Sequence, residues 1–267
     1  MYKQSIIVIP ARMGSTRFPG KPLAKIAGVS MVRRTADIAN QTGQPFVIAT
    51  DHADIVAHCE EFGLPCVITD ANLRTGSDRA LVAAKAVAPD AQIIVNLQGD
   101  APFTPVAHLQ AVIEALHESD DDIATPYVQL GWVALDQLRQ DKLTTPFSGT
   151  TLITDLDERA VWFSKTIIPT IRNEAALRAA QPLSPVRRHV GLYAFRKPAL
   201  ERFVGLAESR YELLEGLEQL RAIENGLTIK AVAVDPPDVA TPGIDTPDDL
   251  RRAEALIRKH GDPFKGH

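Results

Sequence analysis

At 267 residues the chain can hold one large domain, or a domain with a smaller lobe, and its 45% hydrophobic and 23% charged content is that of a globular protein. The formal net charge of −4 argues against a general nucleic-acid binder, which carries a basic surplus. Two cysteines are too few for a disulfide framework and match no zinc-ligand spacing, no signal-peptide core precedes the first strand, and no apolar run approaches a membrane span. The expectation is a cytoplasmic protein with no nucleic-acid and no membrane partner, whose Cys59 and Cys66 are buried free thiols.

In chain order, Ser5–Ile9 is predicted as a buried strand, Ser30–Asn40 as a helix, Phe46–Thr50 as a strand and Ala53–Phe62 as a helix. A short strand follows at Cys66–Thr69, then a helix at Ser77–Val87 and the strand Gln92–Leu97, whose "QIIVNL" is the most strand-like run in the chain. Strands alternating with helices in this way imply a parallel sheet covered on both faces, with ligands bound beyond the carboxyl ends of the strands. After about residue 130 the pattern changes: Thr151–Asp155 and His189–Phe195 read as strands with the polar stretch Arg172–Arg188 between them. Tyr211–Asn225 is predicted as one helix capped by Gly226, Thr228–Val234 as a strand, and a last helix starts with Thr246 as N-cap and Pro247 in its first position.

The stretch "ARMGSTRFPGK", residues 11–21, follows the first strand and holds Arg12, Arg17 and Lys21 without an acid. It is not a Walker A loop: five residues rather than four separate Gly14 from Gly20, and Pro22 stands where the magnesium-binding hydroxyl belongs. The dinucleotide fingerprint fails as well, because its glycines lie closer together. What remains is glycines that let backbone N–H groups approach an anion and three cations able to neutralise a triphosphate. A solvated basic loop is the competing reading of these residues alone.

"PARMGSTRFPGKPL" resembles the N-terminal signature of the 3-deoxy-manno-octulosonate (Kdo) cytidylyltransferases, also called CMP-Kdo synthetases. Further matches follow in family order: "ATDH" at 49–52, "RTGSDR" at 74–79, "VNLQGDAP" at 95–102, "FSKTIIP" at 163–169, "HVGLYAFR" at 189–196, "LEQLRAIENG" at 217–226 and "GIDTPDDL" at 243–250. The related CMP-sialic acid synthetases share the idea of the first loop, but its spelling here is closer to the Kdo branch.

The resemblance implies an α/β, Rossmann-like nucleotidyltransferase with a mostly parallel central sheet flanked by helices and a smaller dimerisation lobe. Residues 1–267 would form one such domain, with about 1–130 as the CTP-binding core, 150–225 as the sugar-binding and dimerisation segment, and 226–260 returning to the core. It implies a magnesium-dependent enzyme that is a homodimer, with CTP and a 3-deoxy-ulosonic acid as its small-molecule partners. By the same carry-over Ala11, Arg12, Gly14, Ser15, Arg17, Lys21, Arg74 and Ser77 would bind CTP, with Arg12, Lys21, Asp100 and Asp245 catalytic. Asp100 and Asp245 would hold Mg2+, an ion content with a few carboxylates plus substrate oxygens. Gln98, Lys165, His189, Tyr193, Glu218 and Gln219 would line the sugar pocket, His189 and Tyr193 being read as one face of one strand.

Three departures sit on the sugar side. Ala101 replaces the acid of the family's usual "QGDEP", Lys165 stands where arginine is common, and Arg210 and Tyr211 replace a Pro-Leu pair. "KLTTPFSGTTLI" also lacks the expected Asn-Pro-Asn and Val-Lys pattern. These keep open a modified Kdo such as 8-amino-Kdo, or another ulosonic acid, as the sugar. A non-catalytic CTP-binding paralogue is the reading from another class.

Overall fold

The computed structural model describes residues 4–14, 18–237, 243–244 and 246–264. In chain order the strands are β1 (Ser5–Ala11), β2 (Lys25–Ile26), β3 (Val29–Ser30), β4 (Phe46–Thr50), β5 (Cys66–Ile68), β6 (Ile93–Asn96), β7 (Ile123–Gly131), β8 (Thr151–Thr154), β9 (Ala160–Ser164), β10 (Leu183–His189), β11 (Tyr193–Arg196) and β12 (Ile229–Ala233). The helices are α1 (Met31–Gln41), α2 (Ala53–Glu61), α3 (Gly76–Val87), α4 (Val106–Glu118), α5 (Trp132–Thr144), α6 (Glu174–Ala180), α7 (Lys197–Gly205), α8 (Arg210–Glu215), α9 (Gln219–Glu224) and α10 (Pro247–His260).

A ten-stranded sheet runs β5-β4-β1-β6-β11-β7-β10-β8-β9, with β12 pairing beside β7. Its first part, β5, β4, β1 and β6, is parallel as the sequence predicts. The apolar run of β1 explains why: alternate residues serve opposite faces. Ile6 and Val8 join the core under α3 and α7, while Ile7, Ile9 and Ala11 join the core under α1, α2 and α4. Beyond β6 the sheet turns antiparallel through β11, β7, β10, β8 and β9, with β12 parallel to β7. α10 begins where expected, with Thr246 accepting from the Asp249 amide and Pro247 in the first turn.

Two predicted elements are corrected. His189–Phe195 is an interrupted strand: His189 ends β10 and Tyr193 begins β11, and both pair antiparallel along the same edge of β7, whose other edge takes β12. The interruption falls at Val190–Leu192, where the Val190 amide still donates to the Pro126 carbonyl of β7 at 3.0 Å and Leu192 is buried. The polar stretch 172–188 accordingly holds α6 and most of β10. Tyr211–Asn225 is likewise not one helix. Gly216, without a Cβ, takes a left-handed φ of 62° and closes α8 by donating to the Glu212 carbonyl at 2.8 Å. Leu217 then turns into the core, and α9 starts at Gln219.

The cysteines are free, but only Cys59 is buried. Cys66 is half-buried because β5 is a sheet edge; its hydrogen bond to Cys59, together with burial, pushes the Cys59 thiol upward. No helix among the described residues is long and apolar enough to cross a membrane.

Candidate active site

The parallel strands deliver two loops to the same edge of the sheet. The first leaves β1 at Ala11 and returns through a turn in which Gly20, at φ 72°, donates to the Met13 carbonyl at 3.3 Å. A 3-10 turn over Lys21–Leu23 follows. The second leaves β6 through Gln98–Gly99–Asp100, closed by the Ala101 amide on the Gln98 carbonyl at 3.1 Å. Lys21 Nζ donates to Asp100 Oδ2 at 2.7 Å, joining the loops by a partly exposed ion pair. The Ile244 amide donates to the Asp100 carbonyl at 3.0 Å, so the segment before α10 reaches the same place. Ser15, Arg17 and Asp245 lie outside the described residues.

Gly99 has a steric reason to be glycine. A Cβ there would stand 2.6 Å from the Pro10 carbonyl oxygen, which is backbone and cannot swing aside. Gly99→Ala is therefore expected to cost about 1–3 kcal/mol of stability and to slow turnover, since both loops must shift. Gly76, whose Cβ would meet the Gln98 side chain at an ordinary 3.5 Å, is the comparison position. Equal melting temperatures for Gly99→Ala and Gly76→Ala would contradict the close-approach argument.

Arg12 is half-buried, and its guanidinium faces the loop before α3. It donates to the carbonyls of Arg74 at 3.2 Å and Thr75 at 3.2 Å, and to that of Leu73. Burial, and then the charge of Arg79, hold its pKa below the ordinary arginine value. Thr75 caps α3 in a reciprocal box with Asp78. Arg12 thus braces the start of this helix, where Thr75 takes up the Asp78 amide and the helix N-terminus favours an anion. The Arg74 side chain lies more openly at the rim, 3.4 Å from the Val204 carbonyl. Gly14 is exposed, with open space where a Cβ would stand.

A polar pocket adjoins these loops. Ser77, buried at the first turn of α3, donates to Glu218 Oε2 at 3.4 Å and accepts from Asn96 Nδ2 at 3.4 Å. Glu218 Oε1, Gln219 Nε2 and Asn96 Oδ1 are buried without a hydrogen-bond partner in the protein, a combination that suits a polar ligand. The broken helix accounts for this. On a continuous helix Glu218 and Gln219 could lie on an exposed face, whereas the Gly216 turn brings Glu218 to the start of α9 and buries Gln219.

Tyr193 pairs in register with Asn96, and its ring lies 5.4 Å from that of His189. The two rings meet because β10 and β11 follow one another along the same edge of β7, on either side of the break at Val190–Leu192. Burial, and then the nearby Lys165 charge, push His189 down to about 3, so it is neutral at physiological pH. Burial, and next Glu218, push the Tyr193 phenol up. Burial also raises the Glu218 carboxyl against the opposing pull of Arg221. Lys165 is placed by its backbone, its amide donating to Glu215 Oε2 at 2.8 Å while its carbonyl accepts from Lys142 at 2.5 Å.

Three contributors escaped the sequence reading. Asn96 had a signal, an amide side chain ending an apolar strand. Arg79, fully buried, joins "RTGSDR" to "ATDH" by pairing with Asp51 at 2.7 Å. Thr125 had no signal, because β7 was not recognised as a strand.

Magnesium is tested by its donor set. Among the described residues no cluster of three or more histidine, cysteine or acidic side chains could hold a metal. Asp100 is a half-exposed carboxylate beside a backbone contact to the segment that carries Asp245. One or two carboxylates completed by substrate oxygens is the arrangement magnesium accepts.

A family model for cytidylyltransferases matches residues 6–229. The 3-deoxy-manno-octulosonate cytidylyltransferase of Maricaulis maris is 40% identical over 96% of this chain and 98% of its own. That of Chelativorans sp. is 38% identical over 95% and 96%. Among solved structures, CMP:2-keto-3-deoxy-manno-octonic acid synthetase complexed with CTP superposes with a TM-score of 0.82 at 29% identity, covering 96% of this chain and 99% of that one. 4-Diphosphocytidyl-2C-methyl-D-erythritol synthase from Anaerococcus prevotii, at TM-score 0.61 and 14% identity, shares the fold.

Proposed function

This chain belongs to the cytidylyltransferase family, and on that premise we propose that it transfers CMP from CTP to the anomeric hydroxyl of Kdo. The products are pyrophosphate and CMP-Kdo, a precursor for lipopolysaccharide or capsule. The observation that carries this reading is the junction at Gln98–Gly99: the Lys21–Asp100 pair lies on one side and the pocket of Ser77, Asn96, Glu218, Gln219, His189 and Tyr193 on the other.

The triphosphate lies along residues 11–21 and the N-terminus of α3, which Arg12 braces and where Ser77 sits. Lys21 supplies a compact point charge to it. Asp100 and Asp245 would hold magnesium, which when bound supplies positive charge to phosphate oxygens. Lys165 faces the sugar carboxylate as a single charge without arginine's fork, and Gln98 with the polar pocket orients the hydroxyls. Catalysis is then chiefly positioning and charge stabilisation of an in-line displacement. Residues 1–130 carry the nucleotide, 150–225 the sugar and the dimer contact, and 226–260 return to the core. The compartment is the cytoplasm, where CTP is made.

The test is pyrophosphate release from CTP and magnesium across a panel of sugar acids. Turnover of Kdo is the expected result. Preference for 8-amino-Kdo or another ulosonic acid would transfer the assignment to that sugar, as Ala101 and Lys165 allow, and no turnover at all would refute it.

A homodimer is part of the same proposal. β9 ends the strand order, bridged to β12 among the described residues only at Arg159–Lys230, and carries exposed Val161; α8 exposes Tyr211, Leu213 and Leu214 beside it, with Tyr211 packed edge-on to Trp162 of β9 at 4.9 Å. Apolar residues grouped on an edge in this way call for a partner. Sedimentation should show a dimer at micromolar concentration, and Leu214→Arg should shift it toward monomer; a monomeric wild type would refute this contact.

A further inference from the structure

We propose that Thr125 fixes the tautomer of His189, so that His189 meets the sugar as a hydrogen-bond acceptor. The Thr125 proton goes to the Leu192 carbonyl, His189 donates its Nε2–H to the Thr125 oxygen, and Nδ1 is left bare for a ligand group that brings its own hydrogen. The ligand half of this proposal rests on the sugar site proposed above; the tautomer half does not.

Thr125 is fully buried in β7, opposite the break between β10 and β11. Its Oγ1 lies 2.8 Å from His189 Nε2, 2.8 Å from the Leu192 carbonyl oxygen and 3.4 Å from that of Val190. A threonine hydroxyl has one proton, and a carbonyl can only accept. If that proton went to the imidazole, the hydroxyl and the Leu192 oxygen would face each other with lone pairs at 2.8 Å. Giving the proton to Leu192 satisfies both contacts, provided that the imidazole supplies the hydrogen between itself and Thr125.

The ring is neutral, for burial and the neighbouring Lys165 both disfavour its charge. A neutral imidazole carries one N–H, so with Nε2 protonated Nδ1 is purely an acceptor. The ring is held in place by Phe163, edge-on at 5.1 Å, and by Tyr193 at 5.4 Å. A hydroxyl or an ammonium can satisfy such a nitrogen, whereas a carboxylate is repelled by its lone pair. The sugar carboxylate is thereby directed away from His189, and the position discriminates among sugars by hydrogen-bond polarity.

The experiment combines spectroscopy and kinetics. In ligand-free protein with 15N-labelled histidine, His189 is assigned by its loss in His189→Asn. A long-range proton–nitrogen spectrum should then show Nε2 protonated and Nδ1 bare. Thr125→Val, of nearly the same shape, should release the ring into mixed tautomers and raise KM for Kdo roughly 3- to 10-fold, the worth of one hydrogen bond, with KM for CTP unchanged. Thr125→Ser should restore both readouts, which a general packing defect would not allow. Finding Nδ1 protonated in the wild type, or an unchanged tautomer in Thr125→Val, would overturn the proposal. If the tautomer is as stated but His189→Ala leaves KM for Kdo unmoved, the ligand half falls and the sugar site at His189 falls with it.

Discussion

Asp100→Asn is expected to lower kcat by about 100- to 1,000-fold, because metal-assisted charge stabilisation supplies several kcal/mol and each 1.36 kcal/mol is a factor of ten. The variant keeps the shape of the side chain and removes its charge. Asp100 also pairs with Lys21, but the pair has side-chain exposures of 38% and 13% and so contributes only about 0–1 kcal/mol to stability. The melting temperature should therefore move by no more than a few degrees while turnover collapses. Near-normal activity at saturating magnesium would take Asp100 out of the metal site. A large loss of stability with proportionate loss of activity would instead make it a structural residue.

Glu212→Ala should produce the opposite signature, a large fall in stability. Glu212 and Arg221 are a buried pair, with Arg221 Nε donating to Glu212 Oε2 at 2.8 Å and Nη2 donating to Oε1. Burial alone would raise the Glu212 carboxyl, but Arg221 and the Ser209 amide bonded to it hold it below the usual range. Removing one partner leaves a buried guanidinium uncompensated, at a cost of about 3–5 kcal/mol. Glu218 Oε1 stands 3.9 Å from Arg221 and can take up part of that charge, which favours the lower figure. A loss of about 3 kcal/mol corresponds to a melting shift of roughly 6–12 °C in a chain of this size. KM for the sugar should rise as well, because a Glu218 drawn toward Arg221 leaves Ser77 and the pocket. Thermal unfolding and the two KM values measure this; a shift under about 2 °C would mean that Arg221 finds other compensation.

The parallel part of the sheet was legible because its strands are apolar on both faces and each is followed by a helix. Strands such as Ile6–Ile9 read clearly in any context. The second half was less so. β7 was missed although it is the hub of the antiparallel part, since "IATPYVQLG" mixes polar residues and a proline into a strand buried by its neighbours. Tyr211–Asn225 looked continuous because its apolar spacing is helical on both sides of Gly216, and only the left-handed glycine divides it.

By itself the sequence determined the first loop's chemistry, the parallel core and the family resemblance, because these depend on residue types close together in the chain. The tertiary structure decided what depends on distant segments. It broke the strand between His189 and Tyr193 along one edge of β7, joined Lys21 to Asp100, and turned Glu218 toward Ser77 across the Gly216 break. It also placed Thr125 beneath His189. Residues far apart in the chain meet only when strand order and helix breaks are set, and local spacing carries no record of either.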